Sequence, residues 1–338
     1  MTNPEKIKQI LLSEIEKMDQ HHEDFCRRPG IDFTRDRKIP FGTLLHFQIS
    51  MESGSVSHEL LKYFNFDAQA PSLSAFYQQR AKLSDDVFQK LFYSFNKHFS
   101  PRYLLKGRYQ LLACDGSGFT FTRNPKDSES YYAPSGRSQK GYNQMYLVPL
   151  YDHPESADQY RHICQKVAFD YFPPQGYGEY EISLRVLRFP IGNGTYENIL
   201  TNLPENEFHA DEIKELYRLR WGIETSFCTL KHAIAAVNFH SKSRQMITHE
   251  IWARLILFNF CSYITGQVTF VKQKRKHVHQ VNFSIAFKTC RHFLRLHSGE
   301  APPDVEGLIR KHTLPVRPSR NFARQQRFQV PVSFTYRF

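Results

Sequence analysis

Cysteine is sparse and unpaired in this sequence. Six occur in 338 residues (Cys26, Cys114, Cys164, Cys228, Cys261 and Cys290), with no Cys-x-x-Cys among them. That spacing excludes a zinc ribbon and a disulfide framework, both of which need closely grouped cysteines. Most of the six have apolar neighbours, the setting of inert core thiols. The sixteen histidines are dispersed too, without the spacing of metal ligands. No run approaches the ~18 consecutive apolar residues that a membrane span needs. The N-terminal MTNPEKIKQILLSEIEKM mixes charges of both signs around an amphipathic helix and has no apolar signal core. A soluble, cytoplasmic protein is expected.

Acid is in deficit as well. Asp and Glu number 33 against 45 Lys and Arg, a formal net charge of +12. Such a balance implies a polyanionic partner, with nucleic acid first and an anionic membrane second. Residues 307–338 contain seven Lys/Arg and no Asp/Glu, and KQKRK at 272–276 is a second basic run. Basic runs are commonly solvated faces, yet two acid-free runs in a basic chain favour contact with phosphate. They lack the long apolar faces of membrane-surface helices, which sets the membrane aside.

What the chain does have is enough apolar material to fold, 41% hydrophobic and 14% aromatic, and a length that accommodates two or three units. Residues 1–100 read as helical. Leu11, Leu12 and Ile15 recur at helical spacing, PFGTLLHFQISM covers 40–51, and three further apolar-periodic pieces lie between 58 and 99. Ser84 or Asp85 is the expected N-cap of the last piece. These short helices suit either a helix-turn-helix DNA reader or an all-α cap domain. From Arg108 onward the pattern becomes β-rich, through YQLLACDGSGFTFTRN and YNQMYLVPLYDH. YEISLRVLRFPI and YENILTNL form a further strand pair about the turn Gly192-Asn193-Gly194. A long helix is predicted from near Asp211 through Lys231. Helices at 247–266 and 284–298 follow, apolar on one side.

Two places carry candidate chemistry. In ELYRLRWGIETSFCTLKHAI, residues Tyr217, Arg220, Glu224 and Lys231 are spaced by 3, 4 and 7. On one helix they share a stripe of roughly 60° of arc, opposite Leu219, Ile223, Phe227 and Leu230. A carboxylate beside two cations and a phenol suits a site that holds a metal ion together with a phosphodiester. Its simpler reading is an exposed helix with i,i+4 pairs such as Arg220–Glu224. Asp115 closes the apolar strand from Tyr109 to Cys114 and precedes Gly116-Ser117. A carboxylate at a strand end beside a small residue is a common element of metal-dependent phosphoryl-transfer sites. Its simpler reading is a turn-capping Asp.

Tyr217, Arg220, Glu224 and Lys231 in this spacing resemble the signature of the IS4-type insertion-sequence transposases. ILTNLP at 199–204, RWGIETSF within the helix and the Asp-Gly-Ser strand upstream strengthen the resemblance, which runs over roughly residues 35–338. It implies an α/β fold: an RNase H-like mixed-sheet core with a β-rich insertion, flanked by helical parts. The implied divisions are a helical N-terminal DNA-binding region (1–105), a first part of the catalytic core (106–152), a remnant of the insertion (153–198), a second part of the core with the signature helix (199–266) and a basic helical C-terminal region (267–338). The resemblance further implies metal-dependent DNA cleavage and strand transfer, usually with Mg²⁺ or Mn²⁺. Asp115 and Glu224 would be catalytic metal ligands. Tyr217, Arg220 and Lys231 would hold phosphates, joined by the basic run Lys272, Lys274, Arg275 and Lys276. The partner would be double-stranded DNA at terminal inverted repeats, bound by a homodimer.

One part of that pattern is missing. The family's second aspartate commonly opens Asp-Arg-Gly-Tyr, and no such tetrapeptide occurs here. Between Asp115 and Glu224 only Asp127, Asp152, Asp158, Asp170 and Asp211 remain. The stretch from His153 to Gln165, HPESADQYRHICQ, is too short for a crossover helix and a further parallel strand. An internal deletion is expected, with the loss of the strand bearing that aspartate and with it much or all of the catalysis.

Overall fold

A computed structural model of the chain describes residues 2–99, 104–135, 140–148, 150–152, 159–161, 184–192, 194–232, 239–268, 279–297 and 299–315. The first third is helical, as its apolar spacing predicts: α1 (Asn3–Gln20), α2 (Phe41–Ser50), α3 (Val56–Tyr63), α4 (Leu73–Arg80) and α5 (Val87–Asn96). Thr2 caps α1 in a reciprocal capping box with Glu5, and Ser55 and Ser72 cap α3 and α4 through their hydroxyls. The cap of α5 is Asp86 rather than Ser84 or Asp85. Its carboxylate accepts from the Ser84 hydroxyl at 2.9 Å and pairs with Lys90 one turn on.

The middle third is β-rich. β1 (Leu112–Cys114) and β2 (Ser117–Phe121) are followed by β3 (Tyr131–Tyr132), β4 (Tyr142–Leu147), β5 (Leu150–Asp152) and β6 (Gln159–Arg161). The sheets run β2-β4-β3 and β1-β5-β6, with every pairing antiparallel. The segment 153–165, expected to be a connection too short for a crossover, thus contains a strand. β6 returns beside β5, and an antiparallel return needs only a short loop. β7 (Arg185–Gly192) and β8 (Thr195–Thr201) form the expected hairpin. Among the described residues no strands pair in parallel, so the mixed sheet of the sequence reading is not seen there.

Then come α6 (Ala210–Leu219), α7 (Trp221–His232), α8 (Arg244–Thr265), β9 (His279–Val281), α9 (Phe283–Arg295), α10 (Val305–Lys311) and β10 (Thr313–Pro315), which pairs with β9. None of the described helices is long and apolar enough to cross a membrane. Apolar residues form two cores. The larger joins α1, α2 and α5 to α7, α8 and α9, with Phe119 and Phe121 of β2 at its edge. It crosses the boundaries drawn at 105, 198 and 266. The smaller core comprises Ile199, Phe208 and Ile213, with Leu187, Phe189, Leu216 and Tyr217 packed against them.

α8 was expected to bury one side, but from Ile247 to Thr265 all of it except Thr248 is buried. Glu250 and Arg254 go inside with it, and charges inside must be paired or bonded. Arg80 meets Glu250 at 2.9 Å with both side chains almost wholly buried. His240 donates its backbone N–H to the same carboxylate at 2.9 Å. Arg254 donates to the carbonyls of Met51 and Glu52, and Arg295 donates to the Ser50 carbonyl and to Glu59 at 2.9 and 2.7 Å. The α2–α3 turn is thereby held by α8 and α9, which come some 200 residues later in the chain. Burial alone works against the charge of Glu250, yet Arg80 and His240 outweigh it and hold the carboxyl down at about 2.

Two predictions follow from this interior. Arg80→Met strands the buried Glu250 carboxylate and lowers unfolding stability by about 3–5 kcal/mol in a denaturant titration, and Arg80→Met with Glu250→Gln recovers part of the loss. The second concerns acid. Burial pushes His46 and His249 down to about 4 from the usual 6.5. Between those values the unfolded chain binds protons that the folded chain refuses, so stability falls as pH drops from 6.5 to 4. The slope is up to about 1.4 kcal/mol per pH unit for each histidine. Glu250 adds its own loss below the ordinary carboxylate range. Equilibrium unfolding followed across pH 7 to 4 checks the sign, and His46→Gln flattens the upper part of the curve.

Candidate functional site

Asp115 lies where a long antiparallel ladder is interrupted. β1 pairs with β5 as far as Cys114 opposite Leu150, and β2 pairs with β4 from Ser117 opposite Leu147. Asp115-Gly116 therefore lies in the gap between the two ladders. The half-buried Asp115 carboxylate accepts from the Gly116 N–H at 2.8 Å. This is the local turn contact anticipated by its simpler reading. A Cβ on Gly116 would come no closer than 3.7 Å to Val148, so the position is open to a side chain.

The segment carrying Tyr217, Arg220, Glu224 and Lys231 was read as one helix. It is two, with the junction at Arg220. There the N–H of Arg220 reaches back three residues to Tyr217, and that of Ile223 reaches back three to Arg220, both at 3.1 Å. This tighter winding marks the end of one α-helix and the start of the next. The two cores supply the reason. α6 turns Ile213, Leu216 and Tyr217 to the smaller core, while α7 turns Ile223, Phe227 and Leu230 to the larger one. The predicted apolar stripe is real for Ile223, Phe227 and Leu230, all buried, but it belongs to α7 alone.

Three of the four signature residues touch. The Arg220 guanidinium lies 5.3 Å from the centre of the Tyr217 ring and 3.3 Å from the Glu224 carboxylate. The pair is about one-third exposed, 35% for Arg220 and 30% for Glu224, so solvent screens it and it contributes at most about 1 kcal/mol. Lys231 points elsewhere. Its ammonium donates to the Gly118 carbonyl at 3.0 Å and lies 4.9 Å from the centre of the buried Phe119 ring. Gly118 and Phe119 were not singled out in the sequence; the only signal was their place on the strand after Asp115. Asp211 is an exposed first-turn residue of α6, whose N-cap is His209.

A second contact set ties the strand entering the site to the helix bearing Tyr217. Tyr109 donates its hydroxyl to Glu207 at 2.8 Å, Arg108 bonds the same carboxylate at 2.5 Å, and Lys106 pairs with Glu212 at 3.1 Å. Asp152 is placed away from Asp115. It pairs with Leu112, at the far end of the β1–β5 ladder from the Cys114–Leu150 pair beside Asp115. Leu112 precedes Asp115 by three residues, about 10 Å along an extended chain. Among the described residues no three His, Cys, Asp or Glu side chains come together as a metal-ligand group. Lys272, Lys274, Arg275 and Lys276, with Asp158 and Asp170, lie outside the described residues.

Residues 146–260 match the family model described as a transposase DDE domain. The match includes all four signature residues and starts beyond Asp115. The chain is also similar to the putative transposase InsL of insertion sequence element IS186A from Escherichia coli (strain K12), 36% identical over 58 residues. The transposase of insertion sequence element IS421 from Escherichia coli gives the same identity over the same length. Each similarity covers 17% of this chain and 16% of the relative's length. No solved structure matches the chain at a significant level. The chain is thus similar to transposase DDE domains over residues 146–260, and to insertion-sequence transposases over a stretch of 58 residues.

Proposed function

We propose that the chain acts on double-stranded DNA as a transposase of IS4 type, binding the ends of its own element as a homodimer. The observation that carries this is the intact set Tyr217, Arg220, Glu224 and Lys231 within the matched domain. Arg220 is the natural first contact. Its planar fork holds a carboxylate in a surface pair, and a phosphate oxygen from DNA would displace that weak partner with a bidentate one. The Tyr217 ring beneath keeps the guanidinium oriented while the exchange takes place. The net charge of +12 supplies long-range attraction, with the run at 272–276 adding further phosphate contacts.

Transposase DDE domains use divalent metal ions, but the described residues do not fit a complete centre. Asp115 and Glu224 are two carboxylates where two ions need more. Asp115 is engaged by its own turn, and Asp152 lies at the wrong end of its strand. We assign no chemical step through a metal ion here. This shortfall favours a second reading of the same site: a DNA-binding remnant that occupies transposon ends, or joins mixed dimers, without cutting.

Binding is expected to weaken steeply with salt, log K falling by about 0.9 per phosphate neutralised for each tenfold rise in salt. A flat titration would remove the basic surface as the contact. The decisive comparison is cleavage of the element's ends in Mg²⁺ by this protein and by Glu224→Gln. Cleavage that the substitution abolishes establishes an active transposase, its centre completed by a carboxylate outside the described residues. Salt-sensitive binding with no cleavage by either protein establishes the remnant. Absence of end binding overturns both readings.

A further inference from the structure

We propose that the outer face of the β2-β4-β3 sheet is a stacking platform for the bases of an unpaired DNA strand, a site separate from the signature residues. Side chains alternate along a strand, and here the two faces differ in kind. Phe119, Phe121, Met145 and Leu147 pack into the larger core. Tyr142, Gln144 and Tyr146 of β4 therefore point outward, and Tyr132 joins them because it lies directly opposite Tyr142. The β2 residues opposite Tyr146 and Gln144 are Gly118 and Thr120, both small. The paired residues of this face thus include three tyrosines and no carboxylate.

Two of the rings already form a stack. Tyr132 and Tyr142 lie 5.2 Å apart, centre to centre, and within 12° of parallel. β3 is an edge strand among the described residues, and Tyr132 is 41% exposed there, which leaves ring surface for a base to continue the stack. Tyr146 is 62% exposed and lies four residues from Tyr142, about 14 Å along the strand, so the rings span a run of nucleotides. Between them Gln144 lies over Gly118, where an added Cβ would strike its amide. Gln144 is 5% exposed, and its amide oxygen has no hydrogen-bond partner among the described residues. A buried acceptor without a donor is costly, and the amine of a stacked base is such a donor. Cations gather at the end where Tyr132 and Tyr142 pair. Arg123, Lys126 and Lys140 are exposed there, and Arg123 donates to the Lys140 carbonyl at 2.7 Å. The nearby carboxylates of Asp127 and Glu129 are both held by Arg244, which leaves this rim positive. Ring faces flanked by cations are the composition that binds single strands with little regard to sequence. At the other end Tyr146 pairs with Gly118, which follows Asp115 by three residues, about 10 Å along an extended chain. The choice of DNA over RNA rests on the function proposed above; the platform itself does not.

Titration of the full chain with a fluorescent oligothymidylate, an oligouridylate of equal length and a duplex of the element's ends tests this. Tyr132→Ala and Tyr146→Ala should each weaken oligothymidylate binding about tenfold at constant salt, while Tyr132→Phe and Tyr146→Phe retain it. A loss shared by the Phe variants would assign the contact to the hydroxyls and overturn stacking, as would unchanged affinity in both Ala variants. Arg123→Ala should lower the salt slope by about 0.7, and an unchanged slope removes Arg123 from the phosphate path. Iodouridine placed in the oligothymidylate should crosslink under near-ultraviolet light to Tyr132, Tyr142 or Tyr146. That readout uses the unaltered protein, so it decides even where a variant fails to fold, and crosslinks confined to other residues overturn the platform. Duplex ends bound without any oligothymidylate binding would overturn the platform and leave the proposed function standing. The reverse result would keep the platform and overturn that function, and a tighter hold on oligouridylate would overturn the choice of DNA. Self-association that Tyr146→Ala abolishes, with no strand binding, would give the face to a second copy of the chain instead.

Discussion

Glu250 is an acid in the middle of a helix that is covered by other elements along nearly its whole length, and the rest of the molecule is arranged so that it can stay there. Arg80 comes from α4 to neutralise it, and the chain at His240 turns in to donate a backbone N–H. Arg254, one turn further along α8, is satisfied by the carbonyls of the α2–α3 turn, and Arg295 of α9 grips the same turn and Glu59 beside it. A hydrophobic helix could pack in several rotations about its axis with modest cost. These bonds admit one rotation, because any other leaves a charge buried without a partner. The ionic cluster therefore fixes the register of the large core, although its net contribution to stability is smaller than its geometry suggests.

The signature residues sit where the two cores meet. α6 answers to the small core under the β7–β8 hairpin and α7 to the large one, with Arg220 between them. Tyr217 and Glu224 are therefore attached to different bodies of packing and are linked by the guanidinium that touches both. The contacts of Lys106, Arg108 and Tyr109 with Glu207 and Glu212 tie the smaller body back to the strand leading to Asp115. A change in the hairpin can thus reach the signature without touching any of its four residues.

Much of this was legible in the residues. Apolar spacing marks the N-terminal helices, Gly192-Asn193-Gly194 marks the β7–β8 hairpin, and the four signature residues mark the region that matches a DDE domain. What was hidden has physical causes. The junction at Arg220 is invisible to periodicity, because a short stretch of tighter winding barely disturbs the phase of the apolar residues on either side. α8 was read as one-sided because Glu250 and Arg254 look like a solvated face; only their partners, 170 and about 200 positions away, show otherwise. β6 has no apolar run of its own and is specified by its pairing with β5. Lys231 looked like its neighbour Arg220 because a sequence gives the charge of a side chain and not its direction.

The wide separation of these partners has a consequence for how the protein is made. Arg80 leaves the ribosome 170 residues before Glu250, an interval of roughly 10 to 30 seconds at ordinary rates of translation. During that time the first hundred residues hold just under half of the larger core's buried apolar side chains and lack both the helix that fills it and the acid that neutralises Arg80. The nascent N-terminal third must wait as a loose, apolar assembly for about half of the chain's synthesis. Any product ending before α8 would remain in that state, exposed to chaperones and proteases, so a frameshift late in the gene is as damaging as one near its start.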